Sequence, residues 1–147
     1  TTGLIPVEDR DYCIPFGKAR TVRAGAACTV IAWGVMVGHT LSAIETTGID
    51  AEVIDLRTID PMGVDWETVE ASVRRTNRVL IAEQTTRGTT VAARLAHELQ
   101  ERCFDWLDHP VMRVTGANNS PVVSKVLEDA ALANADDVAA ALGALTA

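Results

Sequence analysis

The sequence predicts an α/β domain in which a largely parallel β-sheet lies between layers of helices. Three observations carry this expectation. Short runs rich in β-branched residues alternate along the chain with segments of helical periodicity, the pattern of successive βαβ units. Those runs are continuously apolar, as strands covered on both faces are. Hydrophobic residues make up 48% of the chain and aromatic ones only 4%, so the core must be built from Val, Ile, Leu and Ala.

The elements follow in order. Residues 1–18 stand apart: Gly3, Pro6 and Pro15 punctuate a stretch holding Glu8-Asp9-Arg10-Asp11, with no sustained period. This reads as a linker or arm whose Leu4, Ile5, Tyr12, Ile14 and Phe16 pack on something apolar. Ala19–Arg23 is a candidate edge strand. Cys28–Trp33 (CTVIAW) is a continuous β-prone run, and Gly34 then opens a helix with Met36, Val37, Leu41 and Ile44 on one face. Glu52–Leu56 is the next strand. Asp65 is placed to cap a helix with Trp66, Val69 and Val73 as its stripe and Glu67 in its first turn. Arg78–Glu83 is a third strong strand. Thr90 caps a helix carrying Val91, Leu95 and Leu99 at four-residue spacing. Val111–Thr115 is a further strand, closed by Gly116. Ser120-Pro121 reads as a helix start. The last, Ala-rich helix follows Asn134, with Val138, Leu142 and Leu145 facing inward.

At 147 residues the chain fits one domain with a proper core. Its 13 basic and 20 acidic side chains leave a net charge of −7, which repels phosphate backbones and anionic lipid and argues against a nucleic-acid or membrane-surface role. Arg74-Arg75 with Arg78 is a local basic spot that reads as a solvated helix end. Cys13, Cys28 and Cys103 are scattered with no C-x-x-C pair, as expected in a reducing compartment. No apolar run reaches membrane-span length and no signal pattern opens the chain. The first residue is Thr1, not Met, which suggests a piece of a longer protein. A cytoplasmic location is the expectation.

Open α/β sheets bind ligands at the carboxyl ends of their strands, so chemistry is sought there. Gly34-Val35-Met36-Val37-Gly38 is neither a dinucleotide fingerprint nor a P-loop; it is a tight turn, or a helix start able to hold an anion. Asp55 and Arg57 are spaced to pair ionically. Glu83, at a strand end, is the best-placed carboxylate, with capping of the next helix or pairing with Arg87 as its structural alternatives. His39, His97 and His109 show no metal-ligand spacing, no nucleophile elbow is present, and Cys28 reads as buried and inert. Asn118-Asn119-Ser120 fits a glycosylation sequon, without consequence in the cytoplasm. No catalytic, cofactor-binding or metal-binding residue is assigned.

Read in order, Asp11–Ala19 (DYCIPFGKA), Gly34–Leu41, Ala51–Pro61 (AEVIDLRTIDP), Ser72–Arg78, Phe104–Pro110 (FDWLDHP) and Val111–Gly116 (VMRVTG) resemble the C-terminal, transketolase C-terminal-like domain of beta subunits of thiamine-diphosphate-dependent 2-oxo acid dehydrogenases. Pyruvate, branched-chain 2-oxo acid and acetoin types are the group in view. The resemblance implies a three-layer α/β/α fold over 19–147 after an interdomain arm over 1–18. Its five-stranded, mostly parallel sheet would have one antiparallel edge strand, which Ala19–Arg23 supplies. It also implies an α2β2 assembly with an alpha subunit and a second beta subunit, carrying out oxidative decarboxylation with acyl transfer to lipoyl groups. In such assemblies thiamine diphosphate and its Mg are met by the alpha subunit and by the beta subunit's N-terminal domain, so this chain alone is expected to be inactive.

For this domain the resemblance implies packing between subunits and docking of the peripheral subunit-binding domain of the dihydrolipoyl acyltransferase. The family uses an Asp in an L-D-x-P segment and the chain-terminal carboxylate, matched here by Asp108 and Ala147. Asp108 reads equally as a turn residue before His109-Pro110. Two departures fall in loops: Gln84–Thr90 where relatives are Gly-rich, and Asn118–Pro121 where they often carry D-x-P-x-P. Both bear on subtype rather than fold. Two other readings compete: a stand-alone module gripping a basic partner, and a small-anion-binding domain using the helix start at Gly34.

Overall fold

The computed structural model describes residues 13–88, 90–118 and 123–147. Five strands form one sheet: β1 Arg20–Arg23, β2 Cys28–Ala32, β3 Ala51–Asp55, β4 Val79–Ala82 and β5 Met112–Val114. Their order is β1-β3-β2-β4-β5. Pairing is parallel except at β1, which runs antiparallel to β3 with a register irregularity between Thr21 and Arg23. The expected mixed sheet with one antiparallel edge strand is what is found.

The helices are α1 Val35–Thr47, α2 Trp66–Thr76, α3 Val91–Cys103, α4 Lys125–Ala131 and α5 Ala135–Thr146, with a 3₁₀ turn over Phe104–Trp106 after α3. Strand alternation sorts the core into two layers. Val30, Ala32, Val53, Leu80, Ala82 and Val114 face α1 and α5. Ile31, Ile54, Val79 and Ile81 face α2 and α3. Helices thus cover both sides of the sheet, the doubly wound arrangement in which successive crossovers change face on either side of β2.

Local signals set the helix ends. Asp65 accepts from Thr68 N at 3.2 Å, Thr90 from Ala93 N at 3.0 Å, and Asn134 closes a reciprocal capping box with Asp137. α1 and α2 stop at residues in the left-handed region, Gly48 and Asn77. Four of the five predicted strands run one residue too far at their carboxyl ends. Leu56 N still donates to Ala32 O at 3.0 Å and Glu83 N to Val114 O at 3.0 Å, so a single ladder bond continues while the chain turns away.

The predicted inner faces need small rotations. In α1 the buried residues are Met36, Thr40, Ala43 and Ile44, with Val37 and Leu41 at the margin. In α2, Ser72 and Thr76 join Val69 and Val73 inside while Trp66 is only partly covered. Small polar residues occupy the inner face because a hydroxyl partner waits on β2. The expected helix start at Ser120-Pro121, and Leu4, Ile5 and Tyr12 of the arm, lie outside the described residues. Of the arm's other apolar residues, Ile14 and Phe16 are exposed.

Candidate functional site

The amino ends of the strands carry the two residues singled out for docking. Asn77 caps α2 with φ 59° and donates its N–H to Val73 O. Its side-chain amide donates to Trp106 O at 2.6 Å, and its carbonyl accepts from Asp108 N at 2.9 Å. One asparagine therefore ties the end of α2 to the turn that precedes β5, and this fixes Asp108. The Asp108 side chain is exposed, beside a shallow cleft of about 410 Å³ lined by Gln100, Phe104, Leu107, Asp108, His109 and Pro110. Phe104 and Trp106 present exposed apolar surface next to it.

Ala147 follows α5, in the layer opposite α2 and α3. α5 starts beside the carboxyl end of β5 and packs along β5 and β4. At about 1.5 Å per residue its length returns the chain to the amino ends of the strands. Asp108 and Ala147 are both exposed.

The carboxyl ends look different. Gly34, with φ 56°, turns the chain from β2 into α1, and no side chain caps that helix. A cleft of about 550 Å³ there is lined by Gly34, Val35, Gly38 and His39, with no arginine or lysine to favour the small-anion reading at this helix start. Between the ends of β2 and β4, a cleft of about 420 Å³ involves His39 and Gln84 and is bordered by Lys125 and Asp129 of α4. Lys125 pairs with Asp129 at 2.6 Å and with Glu128 at 3.3 Å; these carboxylates hold its ammonium above the usual lysine range.

The other sequence candidates resolve into structural roles. Glu83 is buried, and its carboxylate accepts from Ala92 N at 3.0 Å. It anchors the start of α3 rather than pairing with Arg87. Arg57, with φ 57°, donates its N–H to Asp55 at 3.1 Å, while its guanidinium lies 3.9 Å from the same carboxylate. Arg74 pairs with Glu70 at 3.2 Å and sits over Trp106, and Arg75 reaches buried Glu52 at 2.6 Å, so this basic spot is more than a solvated helix end.

Burial pushes the Cys28 thiol up to about 11, which keeps it protonated and unreactive. Burial also raises Cys103, with Glu70 adding to the effect. His97 lies 3.6 Å from Glu101, and His109 Nδ1 is 3.0 Å from Pro110 O. Among the described residues no three His, Cys, Asp or Glu side chains gather as a metal site.

One grouping escaped the sequence reading. Arg87, after β4, and Arg113, on β5, line one cleft beyond the end of β5. They are far apart in the chain, and only the β4–β5 pairing makes them neighbours.

The fold and its bare strand ends define a class, a doubly wound three-layer α/β domain with an antiparallel edge strand. The family can be stated directly: the chain belongs to the transketolase C-terminal domain family, whose model matches residues 17–138. Among curated proteins it is 46% identical over 110 residues to the 2-oxoisovalerate dehydrogenase subunit beta of Pseudomonas aeruginosa, covering 75% of this chain and 31% of that one. It is 38% identical over 138 residues to the mitochondrial pyruvate dehydrogenase E1 component subunit beta of Homo sapiens, covering 89% and 37%. The chain therefore spans about a third of the length of these relatives. Among solved structures, a split-gene transketolase in an inactive beta4 tetramer superposes with a TM-score of 0.71 at 27% identity, over 98% of this chain and 46% of that one.

Proposed function

We propose that this chain is the C-terminal assembly and docking domain of the beta subunit of a thiamine-diphosphate-dependent 2-oxo acid dehydrogenase. The observation that carries the proposal is the 46% identity over 110 residues to a 2-oxoisovalerate dehydrogenase beta subunit, within a family match over residues 17–138. In this reading residues 1–18 are an interdomain arm and 19–147 the domain. The whole enzyme oxidatively decarboxylates a 2-oxo acid and passes the acyl group to lipoyl groups. Its alpha subunits and a second beta subunit complete an α2β2 assembly in the cytoplasm; no described helix is long and apolar enough to cross a membrane.

Thiamine diphosphate and Mg belong to that larger assembly. The described residues do not make a seat for them: no ligand cluster gathers, and the cleft at Gly34 offers only His39 as a titratable group. No chemical step is assigned to this chain. Thiamine diphosphate binding measured by calorimetry is expected to be undetectable with this chain alone, and tight binding would overturn the assignment.

Docking of the acyltransferase's peripheral subunit-binding domain is assigned to Asp108 and the carboxylate of Ala147. The exposure of both, and the backbone bond from Asp108 N to Asn77 O that fixes the loop, support this. An acidic surface steers a basic module and accepts charge-assisted hydrogen bonds from it. In the full assembly, Asp108→Asn or an extension past Ala147 should each weaken binding of the module roughly tenfold. Unchanged affinity would remove these residues from the interface.

A further inference from the structure

We infer that the turn from Phe104 to Pro110 is a two-part docking surface, in which an apolar cleft takes an aliphatic or aromatic side chain of the partner while Asp108 meets that partner's cation. The inference rests on the docking reading above and deepens it. It states what the basic module must carry, an apolar side chain set beside a positive one. The cleft, of about 410 Å³, is lined by Gln100, Phe104, Leu107, Asp108, His109 and Pro110. Gln100 stands one helical turn before Phe104, and the others follow within one short stretch of chain. Local backbone geometry therefore makes these residues neighbours.

Aromatic residues make up only 4% of the chain, yet two stand exposed in this turn, Phe104 at 68% and Trp106 at 44%. The turn that carries them is held from α2. Asn77 donates its side-chain amide to Trp106 O at 2.6 Å and accepts from Asp108 N at 2.9 Å. The Arg74 guanidinium lies 5.5 Å from the centre of the Trp106 ring, a cation–π distance. Leu107 N donates to Phe104 O at 3.3 Å and closes the turn. Aromatic surface on a backbone fixed in advance loses little entropy when it is covered, and such anchors carry much of the energy of interfaces. The charge suits a basic occupant. Asp105 and Asp108 are both exposed, and among the described residues neither is paired with a Lys, Arg or His. No Lys or Arg lines the cleft, and Arg74 is engaged with Glu70 at 3.2 Å. An arriving cation thus meets carboxylate with no resident competitor in the lining, while its apolar neighbour is received by Phe104, Leu107 and Pro110.

The test follows binding of the isolated peripheral subunit-binding domain to the full α2β2 assembly by surface plasmon resonance at several salt concentrations. Phe104→Ala should weaken binding roughly tenfold, through faster dissociation and with the salt dependence unchanged. Phe104→Leu keeps an apolar side chain and should recover most of that loss. Asp108→Asn should act chiefly on association and flatten the salt dependence. Val126→Ala, at a similarly exposed apolar position on α4, should leave binding unchanged. Phe104 is largely exposed, so its variants should keep the wild-type circular dichroism spectrum. If Asp108→Asn weakens binding and Phe104→Ala does not, the apolar cleft is overturned and the docking reading stands. If neither variant nor an extension past Ala147 changes the affinity, the docking reading falls and the cleft falls with it. Equal loss in Val126→Ala would also overturn the cleft.

Discussion

The two helical layers cover the same sheet by different physics. On the α1–α5 side the contact is almost wholly apolar, with Val30, Leu80, Val138, Leu142 and Leu145 packed together. On the α2 side the strands present polar groups as well. Thr29 on β2 is fully buried, and its hydroxyl lies 2.6 Å from Ser72 Oγ and 2.7 Å from Thr76 Oγ1. Buried Glu52 on β3 meets Arg75 at 2.6 Å through both carboxylate oxygens. Asp65, at the head of the same helix, accepts from Ala19 N and from both the N–H and the hydroxyl of Thr68. The apolar layer supplies non-directional burial energy, whereas directional bonds fix where α2 sits along the sheet. That placement passes to function, because α2 ends at Asn77, and Asn77 holds the Asp108 loop.

Substitutions can break or sharpen this contrast. The largest loss is expected from Leu142→Ala in the apolar layer, about 3 kcal/mol from lost transfer energy and the cavity left behind. Urea denaturation should show that loss to be the same at pH 7 and pH 5. In the polar layer, Thr29→Val keeps the shape but leaves the buried Ser72 hydroxyl without its partner, while Thr76 Oγ1 keeps Ser72 O at 3.2 Å; it should cost roughly 1–3 kcal/mol. If Thr29→Val proved neutral, the claim that these bonds position α2 would fail. Arg75→Ala leaves Glu52 buried without its cation. Because the Arg75 side chain is itself half exposed and water can reach the gap, a smaller cost of about 1–2 kcal/mol is expected.

The acid limb separates the layers again. Burial alone would raise the Asp65 carboxyl, but the bonds from Ala19 and Thr68, with Lys18 nearby, hold it below the ordinary aspartate value. A folded-state value below the unfolded one means its contribution is present above about pH 3.9 and is lost as pH falls through the folded value. Asp65→Asn should flatten that part of the stability profile and cost about 1 kcal/mol at pH 7, read by denaturation at stepped pH. The smallest effect belongs to the apolar layer's one flaw. Thr40 Oγ1 is buried with no hydrogen-bond partner among the described residues. Thr40→Val should therefore be neutral or stabilising by up to about 1 kcal/mol, whereas a loss would reveal a partner for that hydroxyl.

Much of this was legible from residues alone. Capping side chains act within a few residues, so Asp65, Thr90 and Asn134 could be placed from the chain. β2, β3 and β4 declare themselves because burial on both faces leaves them little but Val, Ile, Leu and Ala. Glu83 shows where such reading stops. Its position suggested chemistry, but its role as anchor for Ala92 N depends on how the loop after β4 closes. Ser72 and Thr76 look like solvated helix residues until β2 presents Thr29 to them.

By itself the sequence determined the fold class, the strand and helix order and the helix caps, because each is written in spacing and residue type at short range. The resemblance carried by its ordered segments added the antiparallel edge strand and the docking candidates. Only the tertiary structure decided which distant groups meet. Pairing of β4 with β5 puts Arg87 and Arg113 on one cleft, and the end of α2 meets the turn before β5 through Asn77, which holds Asp108. Those juxtapositions depend on strand order and crossover direction, which no local stretch of sequence encodes.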